Sequence, residues 1–235
     1  MMSSVGFVPN NALHDSIMSG RFDHADGRQM WSSVLAATET RTVCEIGVYK
    51  GDLAMTVLSR NSALEEYVLI DPWRNLEAWN KPANKPQADF DAMFHACMRR
   101  LAAYEDKLTV LRGTTQEVIK ELPDASLDAV FIDGDHTLRG ITLDLGLAFP
   151  KVKPFGLIGL DDFTKNIWQH GSSYDPSIVH PYAVYFAELH DVPCYSMPAG
   201  QAWIVKDQDR GHAFHDRFGY RSLTASDIFA QKPRH

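Results

Sequence analysis

The chain has 235 residues, 45% of them hydrophobic and 11% aromatic, enough for one substantial core and cramped for two full domains. Its formal net charge of −7 leaves no basic field to neutralise a phosphate backbone or to hold an anionic membrane, so nucleic acid and membrane surfaces are poor partners. Cys44, Cys97 and Cys194 are odd in number and sit in apolar or helical contexts, as expected of buried thiols in a reducing compartment rather than a disulfide framework or a zinc site. No window reaches the ~18 apolar residues of a membrane span. The opening MMSSVGFVPNNALHDS lacks a basic segment followed by a long apolar run, and a soluble cytoplasmic protein is expected.

RQMWSSVLAATE reads as a helix leading into the first strand, TVCEIG (42–47). Strands follow at YVLID (67–71), LTVLRG (108–113), LDAVFID (127–133) and FGLIGLDD (155–162), all with continuous apolar runs that predict burial on both faces. The amphipathic stretches DLAMTVLSR, DFDAMFHACMRRLAAYE, TQEVIKEL and TLRGITLDLGLAFPKV alternate with them, which calls for a parallel sheet covered by helices on both faces. VPCYSMP and QAWIVKD flank Ala199–Gly200 and predict a hairpin closing one edge. Two segments exceed the minimal plan: 74–88, rich in Asn, Pro and Lys, and 163–182, which mixes aromatics with His, Ser and Pro. Both follow the carboxyl end of a strand, where open α/β sheets bind ligands, and they are either acceptor-binding loops or plain surface insertions.

Chemistry-bearing residues gather at the strand ends. EIGVYKGDLA turns through Gly47 and Gly51 into a helix at about Asp52, with Glu45 where a dinucleotide fingerprint has its first glycine. A carboxylate there repels a pyrophosphate and suits a ligand carrying positive charge, such as an ammonium or a sulfonium, which counts against a nucleotide-binding oxidoreductase. Asp71, ending the second strand, reads as the acceptor of two ribose hydroxyls, or as the start of a turn before Pro72. Thr114, Thr115 and Gln116 can meet an adenine edge or cap a helix. AVFIDGDHTLRG then puts Asp133, Asp135 and His136 into four residues, and the fifth strand ends in Asp161–Asp162.

This combination resembles the class I S-adenosylmethionine-dependent methyltransferases from about Arg28 to Asp207, leaving an N-terminal extension (1–27) and a C-terminal tail (208–235). Within that superfamily it resembles the metal-dependent O-methyltransferases, in which the fourth strand ends in Asp, a base stands three residues on, and the fifth strand ends in two acids or Asp-Asn. The resemblance implies a single Rossmann-like α/β domain with a mostly parallel seven-stranded sheet, helices on both faces and a C-terminal antiparallel hairpin. It also implies S-adenosylmethionine bound by Glu45, Gly47, Tyr49, Gly51, Asp71, Thr115, Gln116 and Asp133, and His136 as general base where many relatives carry lysine. The histidine is as in the sugar and macrolide-glycoside branch, so a saccharide hydroxyl is the expected acceptor, with a phenol or an acyl-CoA-linked compound as the alternative.

Asp133, Asp161 and Asp162 are hard oxygen donors without a Cys partner, which favours Mg²⁺, Mn²⁺ or Ca²⁺ over zinc, and Mg²⁺ is expected. Bare carboxylates ending two neighbouring buried strands call for a counterion. Trp73, just ahead of the first extra segment, and Trp79, Trp168, His170, Tyr174, His180 and Tyr182 within the two are candidate acceptor contacts or loop anchors. A donor-binding protein without catalysis is the rival from another class, and a base beside a carboxylate cluster argues against it. A homo-oligomer is compatible with everything above.

Overall fold

The computed structural model describes residues 10–230. The outer parts of the extension and the tail, 1–9 and 231–235, lie outside the described residues. In chain order the elements are α1 (Asn10–Met18), α2 (Gly27–Ala37), β1 (Thr42–Ile46), α3 (Asp52–Arg60), β2 (Glu66–Asp71), α4 (Gln87–Leu101), β3 (Leu108–Arg112), α5 (Thr115–Val118), β4 (Leu127–Ile132), α6 (Leu138–Ala148), β5 (Val152–Leu160), α7 (Val179–Leu189), β6 (Cys194–Met197), β7 (Gln201–Val205), β8 (Phe214–His215) and α8 (Ala225–Phe229).

One sheet runs in the order β3-β2-β1-β4-β5-β7-β6-β8. β3, β2, β1, β4 and β5 are parallel, β7 runs antiparallel to β5 and β6, and β8 pairs parallel with β6. Period-two alternation divides the strand side chains between two cores. Cys44, Ile46, Val68, Ile70, Val130 and Ile132 face α6 and α7. Val43, Tyr67, Leu69, Ala129 and Phe131 face α1, α2, α3 and α4. Leu13 and Ile17 of α1 belong to the second core, and Phe214 and Tyr220 from the tail belong to the first.

Two expectations need correction. The sheet has eight strands, not seven: Phe214–His215 adds a two-residue strand to the β6 edge, too short to leave a periodic signal. β3 is not buried on both faces, because it is the outer strand with β2 as its sole neighbour and its side chains are half-buried or exposed. The β6–β7 hairpin forms as expected. The last residues of the 163–182 segment form the first turn of α7, with Pro181 in that turn, where its missing N–H costs no helical bond. Among the described residues, no helix is long and apolar enough to cross a membrane.

Candidate active site

The carboxyl ends of β1, β2, β4 and β5 meet at one edge, and the turn after β1 determines how closely. Gly47 has φ +88°, and a Cβ there would lie 2.0 Å from the Asp133 carbonyl oxygen, so the β1 and β4 ends touch as only glycine allows. Gly51, at φ +73°, is the N-cap of α3. Between them Tyr49 takes the left-handed conformation at φ +53°. Asp71 fixes that strained turn: Oδ2 accepts from the Tyr49 amide at 2.8 Å and Oδ1 from the Trp73 amide at 2.7 Å. The Trp73 indole in turn donates to the Tyr49 carbonyl at 2.9 Å. Burial pushes the Asp71 carboxyl up, and those amides oppose it. Trp73 is therefore a buried anchor of the turn after β1, packed edge-on against Phe94.

Glu45 is 2% exposed, on the strand face that otherwise carries Val43, Tyr67 and Leu69. Its Oε2 accepts from the Tyr67 hydroxyl at 2.6 Å. Burial raises its pKa well above the carboxylate range, and the charges of Asp133 and Asp71 raise it further. Glu45, Gly47, Tyr49, Asp133 and Asp161 line a recess of about 600 Å³ together with Asp26, Arg28, Lys50, Asp52 and Gln201. Acids outnumber bases around it.

His136 is 7% exposed. Its Nδ1 lies 2.6 Å from Asp162 Oδ2, while Nε2 has no hydrogen-bond partner and stands 3.5 Å from Asp133 Oδ1. Burial alone would lower the imidazole, but the Asp162 hydrogen bond and charge outweigh it, aided by Asp133 and Asp161, and hold it up at about 9. Asp162, at φ +56°, is held below its ordinary value by His136 and Gln169 despite its burial. Asp161 is pushed up to about 6 by burial and by the Asp162 charge. The Asp133 side chain, 43% accessible, lines the recess; the protein packed around it and then the Asp161 charge raise it well above its usual value.

The three aspartates read as metal ligands do not point to one place. Asp162 gives one oxygen to His136 and the other to the Gln169 amide, and Asp161 Oδ1 is 3.4 Å from Gln201 Nε2. Among the described residues no three His, Cys, Asp or Glu side chains converge as a metal site. The donors suit a hard divalent cation in kind, but in placement only Asp133 and Asp161 are left for it.

Other expected residues take quieter places. Asp135 accepts from the Trp79 indole, the Thr137 amide and the Thr137 hydroxyl, each at 3.0 Å, and so ties the first insertion to the start of α6. Thr114 caps α5 in a capping box with Glu117, Thr115 is buried with its hydroxyl on Asp144, and Gln116 is exposed. The Trp168 indole anchors on the Phe229 carbonyl at 3.0 Å. His180 lies edge-on between the rings of Phe163 and Tyr220, and burial lowers it to about 4. Trp79 and Tyr182 line a second recess, about 1150 Å³, with Leu76, Leu138, Ile178, Tyr185 and Phe229. Sequence reasoning missed Tyr67, Gln169, Ser177 and Lys81: each acts through a tertiary contact, and no local spacing announces it.

Several solved structures share this fold. A proposed caffeoyl-CoA O-methyltransferase from Staphylococcus aureus superposes with a TM-score of 0.57 at 15% identity, covering 85% of this chain and 92% of that one. An O-methyltransferase from Bacillus cereus, in complex with S-adenosylhomocysteine, gives 0.56 at 15% identity over 87% and 94%. An S-adenosylhomocysteine-bound methyltransferase from Podospora anserina gives 0.55 at 14% identity over 88% and 99%. No curated protein matches the sequence. The sequence profile of the family described as "Methyltransferase domain" matches residues 44–163, about half of the chain, running from β1 through the Asp161–Asp162 turn. The chain belongs to that methyltransferase-domain family.

Proposed function

We propose that this protein transfers a methyl group from S-adenosylmethionine to a hydroxyl oxygen of a small-molecule acceptor, with His136 taking the hydroxyl proton. The observation that carries the reading is His136 itself. Its Nδ1 is held by a carboxylate, and its Nε2, buried and without a hydrogen-bond partner, stands 3.5 Å from Asp133 Oδ1, a carboxylate that lines the acidic recess at the sheet's carboxyl edge. S-adenosylmethionine, when bound, supplies an electrophilic methyl group on a cationic sulfur. The recess fits such a donor in sign and in size, since small-molecule sites span roughly 300–1,000 Å³. Glu45 and Asp133 answer its positive charge and the Gly47–Gly51 turn gives it backbone contact; Asp71, 7% exposed and not among the side chains that line the recess, shapes that turn through backbone amides and would meet ribose hydroxyls with its remaining lone pairs.

A base at about 9 is protonated near neutrality and cannot take a proton. A cationic donor beside Asp133 would oppose the Asp133 charge, one of those that hold the imidazole protonated, and so would ease release of the Nε2 proton. Nε2 would then take the hydroxyl proton, leaving the acceptor oxygen as nucleophile for the methyl group that S-adenosylmethionine would supply, with Asp162 holding the imidazole ring in place.

A divalent cation, Mg²⁺ first, is the finer part of this reading. Asp133 and Asp161 would hold it; burial keeps both carboxyls raised, with the Asp161 charge adding to Asp133 and the Asp162 charge to Asp161. Such a cation lowers the pKa of a hydroxyl that it meets.

For the acceptor we propose a saccharide or glycosylated small molecule. Trp79, Tyr182 and Tyr185 offer ring faces in the second recess, beside Glu77, Asp135 and Asp175 for hydroxyl donors. The apolar side chains Leu76, Leu138 and Ile178 favour a phenolic ring as the second reading. An acyl-CoA fits less well, because Arg139 is the one cation among the lining residues and would face several phosphates alone. Radiolabelled methyl transfer screened over glycosides, phenols and acyl-CoA esters, with and without chelator, tests the reading. Donor binding without transfer to any hydroxyl compound would reduce the protein to a binder.

A further inference from the structure

The two insertions meet over the base. Lys81, in the first, is 6% exposed; its ammonium donates to the Asp175 carbonyl at 2.8 Å and to Ser177 Oγ at 3.1 Å, both in the second. Ser177, 3% exposed, donates to Gln169 Oε1 at 3.0 Å. The Gln169 amide nitrogen donates to Asp162 Oδ1, and Asp162 Oδ2 accepts from His136 Nδ1 at 2.6 Å. Backbone bonds brace the same contact: Ile178 N–H to the His136 carbonyl at 2.8 Å, and Asp175 N–H to the Asn80 carbonyl at 3.1 Å.

The direction of this chain is not free. An ammonium can only donate and an ionised carboxylate can only accept, so each group between them has one permitted orientation. Ser177 accepts from Lys81 and must spend its own proton on Gln169. Gln169 must then turn its oxygen to Ser177 and its nitrogen to Asp162. At the far end Asp162 accepts twice, which keeps a ring proton on Nδ1 and leaves Nε2 on the side of Asp133, 3.5 Å away. Packing alone does not account for Lys81: a buried ammonium is costly, and a methionine of similar length would fill the space.

We propose that Lys81, Ser177 and Gln169 are positioning residues for His136, a polar chain that holds its ring with the Nδ1 proton hydrogen-bonded to Asp162 in either charge state and is complete only when both insertions are docked on each other. The assignment rests on the reading of His136 as the general base. It also makes the base responsive to the loops that border the second recess, so disturbing loop contact disturbs proton removal.

The test has a readout independent of turnover. In ¹⁵N-histidine-labelled protein, the His136 Nδ1 proton should appear as a resolved resonance downfield of the amide envelope, assigned by its loss in His136→Gln. Gln169→Ala and Lys81→Met should broaden or abolish it while S-adenosylhomocysteine affinity stays unchanged, and kcat for whichever panel acceptor turns over should fall about tenfold. Ser177→Thr, which keeps the hydroxyl, should preserve the resonance that Ser177→Ala loses. Should Lys81→Met fail to fold, Gln169→Ala, at a half-buried position, decides alone. An unchanged Nδ1 resonance in Gln169→Ala overturns the proposal. A resonance that responds as expected, in a wild type that methylates no acceptor, would sink the oxygen-methylation reading and leave the positioning chain standing.

Discussion

The Tyr67 hydroxyl donates to Glu45 Oε2 at 2.6 Å in a position closed to solvent, one acid and one phenol facing each other between β1 and β2. Glu45 is raised by burial, so it is protonated in the free protein at pH values where an exposed glutamate is ionised. A cationic donor stabilises the ionised form and must expel that proton. S-adenosylmethionine binding should therefore release protons and tighten as pH rises toward the raised value, measurable by calorimetry in buffers of different ionisation enthalpy. Glu45→Gln should abolish the release and weaken binding by roughly 1.5–3 kcal/mol, the range for a hydrogen bond to a charged group. Buffer-independent heats in the wild type would remove Glu45 from the donor site.

His136→Gln should lower kcat by roughly 10²–10⁴, the span of a positioned general base, with S-adenosylhomocysteine affinity retained. The acidic limb of the wild-type profile should lie higher in kcat/KM for the donor, which reports the free protein with His136 at about 9, than in kcat/KM for the acceptor at saturating donor. Coincident limbs would mean that the donor does not relieve the field around the imidazole.

Stability carries the same signature without any substrate. Histidine titrates near 6.5 when unfolded and His136 at about 9 when folded, so its contribution is complete below pH ~6.5 and is lost as pH rises through 9. Asp161, raised to about 6, acts in the same direction at lower pH, because its folded state also binds the extra proton. The thermal midpoint should fall between pH 6 and 9, and His136→Gln should flatten the upper part of that fall. A midpoint that climbs over this range would contradict the buried imidazolium.

Chelation should suppress turnover and Mg²⁺ or Mn²⁺ should restore it. Asp161→Ala should imitate the chelated protein while still binding S-adenosylhomocysteine, since the recess keeps Glu45 and the Gly47–Gly51 turn. Full activity in chelator would assign Asp133 and Asp161 to the donor's charge alone.

The central sheet was legible because unbroken apolar runs such as YVLID and LDAVFID have few other uses, and its carboxyl edge could be located from the residues that interrupt them. Glu45 stood out because it occupies the place of a dinucleotide fingerprint's first glycine. Asp162 was legible as an acid but not as the partner of His136, because that pairing joins β5 to the β4–α6 turn across sequence. Lys81 was one lysine of a segment rich in Asn, Pro and Lys; its burial depends on the second insertion, which no local pattern reveals. β8 needed the β6 edge before two residues could count as a strand.

The two recesses belong to opposite helical layers. One is bordered by the starts of α2 and α3, the other by α6, α7 and α8, with the β4 end between them. Neither substrate then has to pass the other to leave. Turnover should follow a random order of addition, with intersecting initial-velocity lines and with demethylated donor and methylated product escaping through separate mouths.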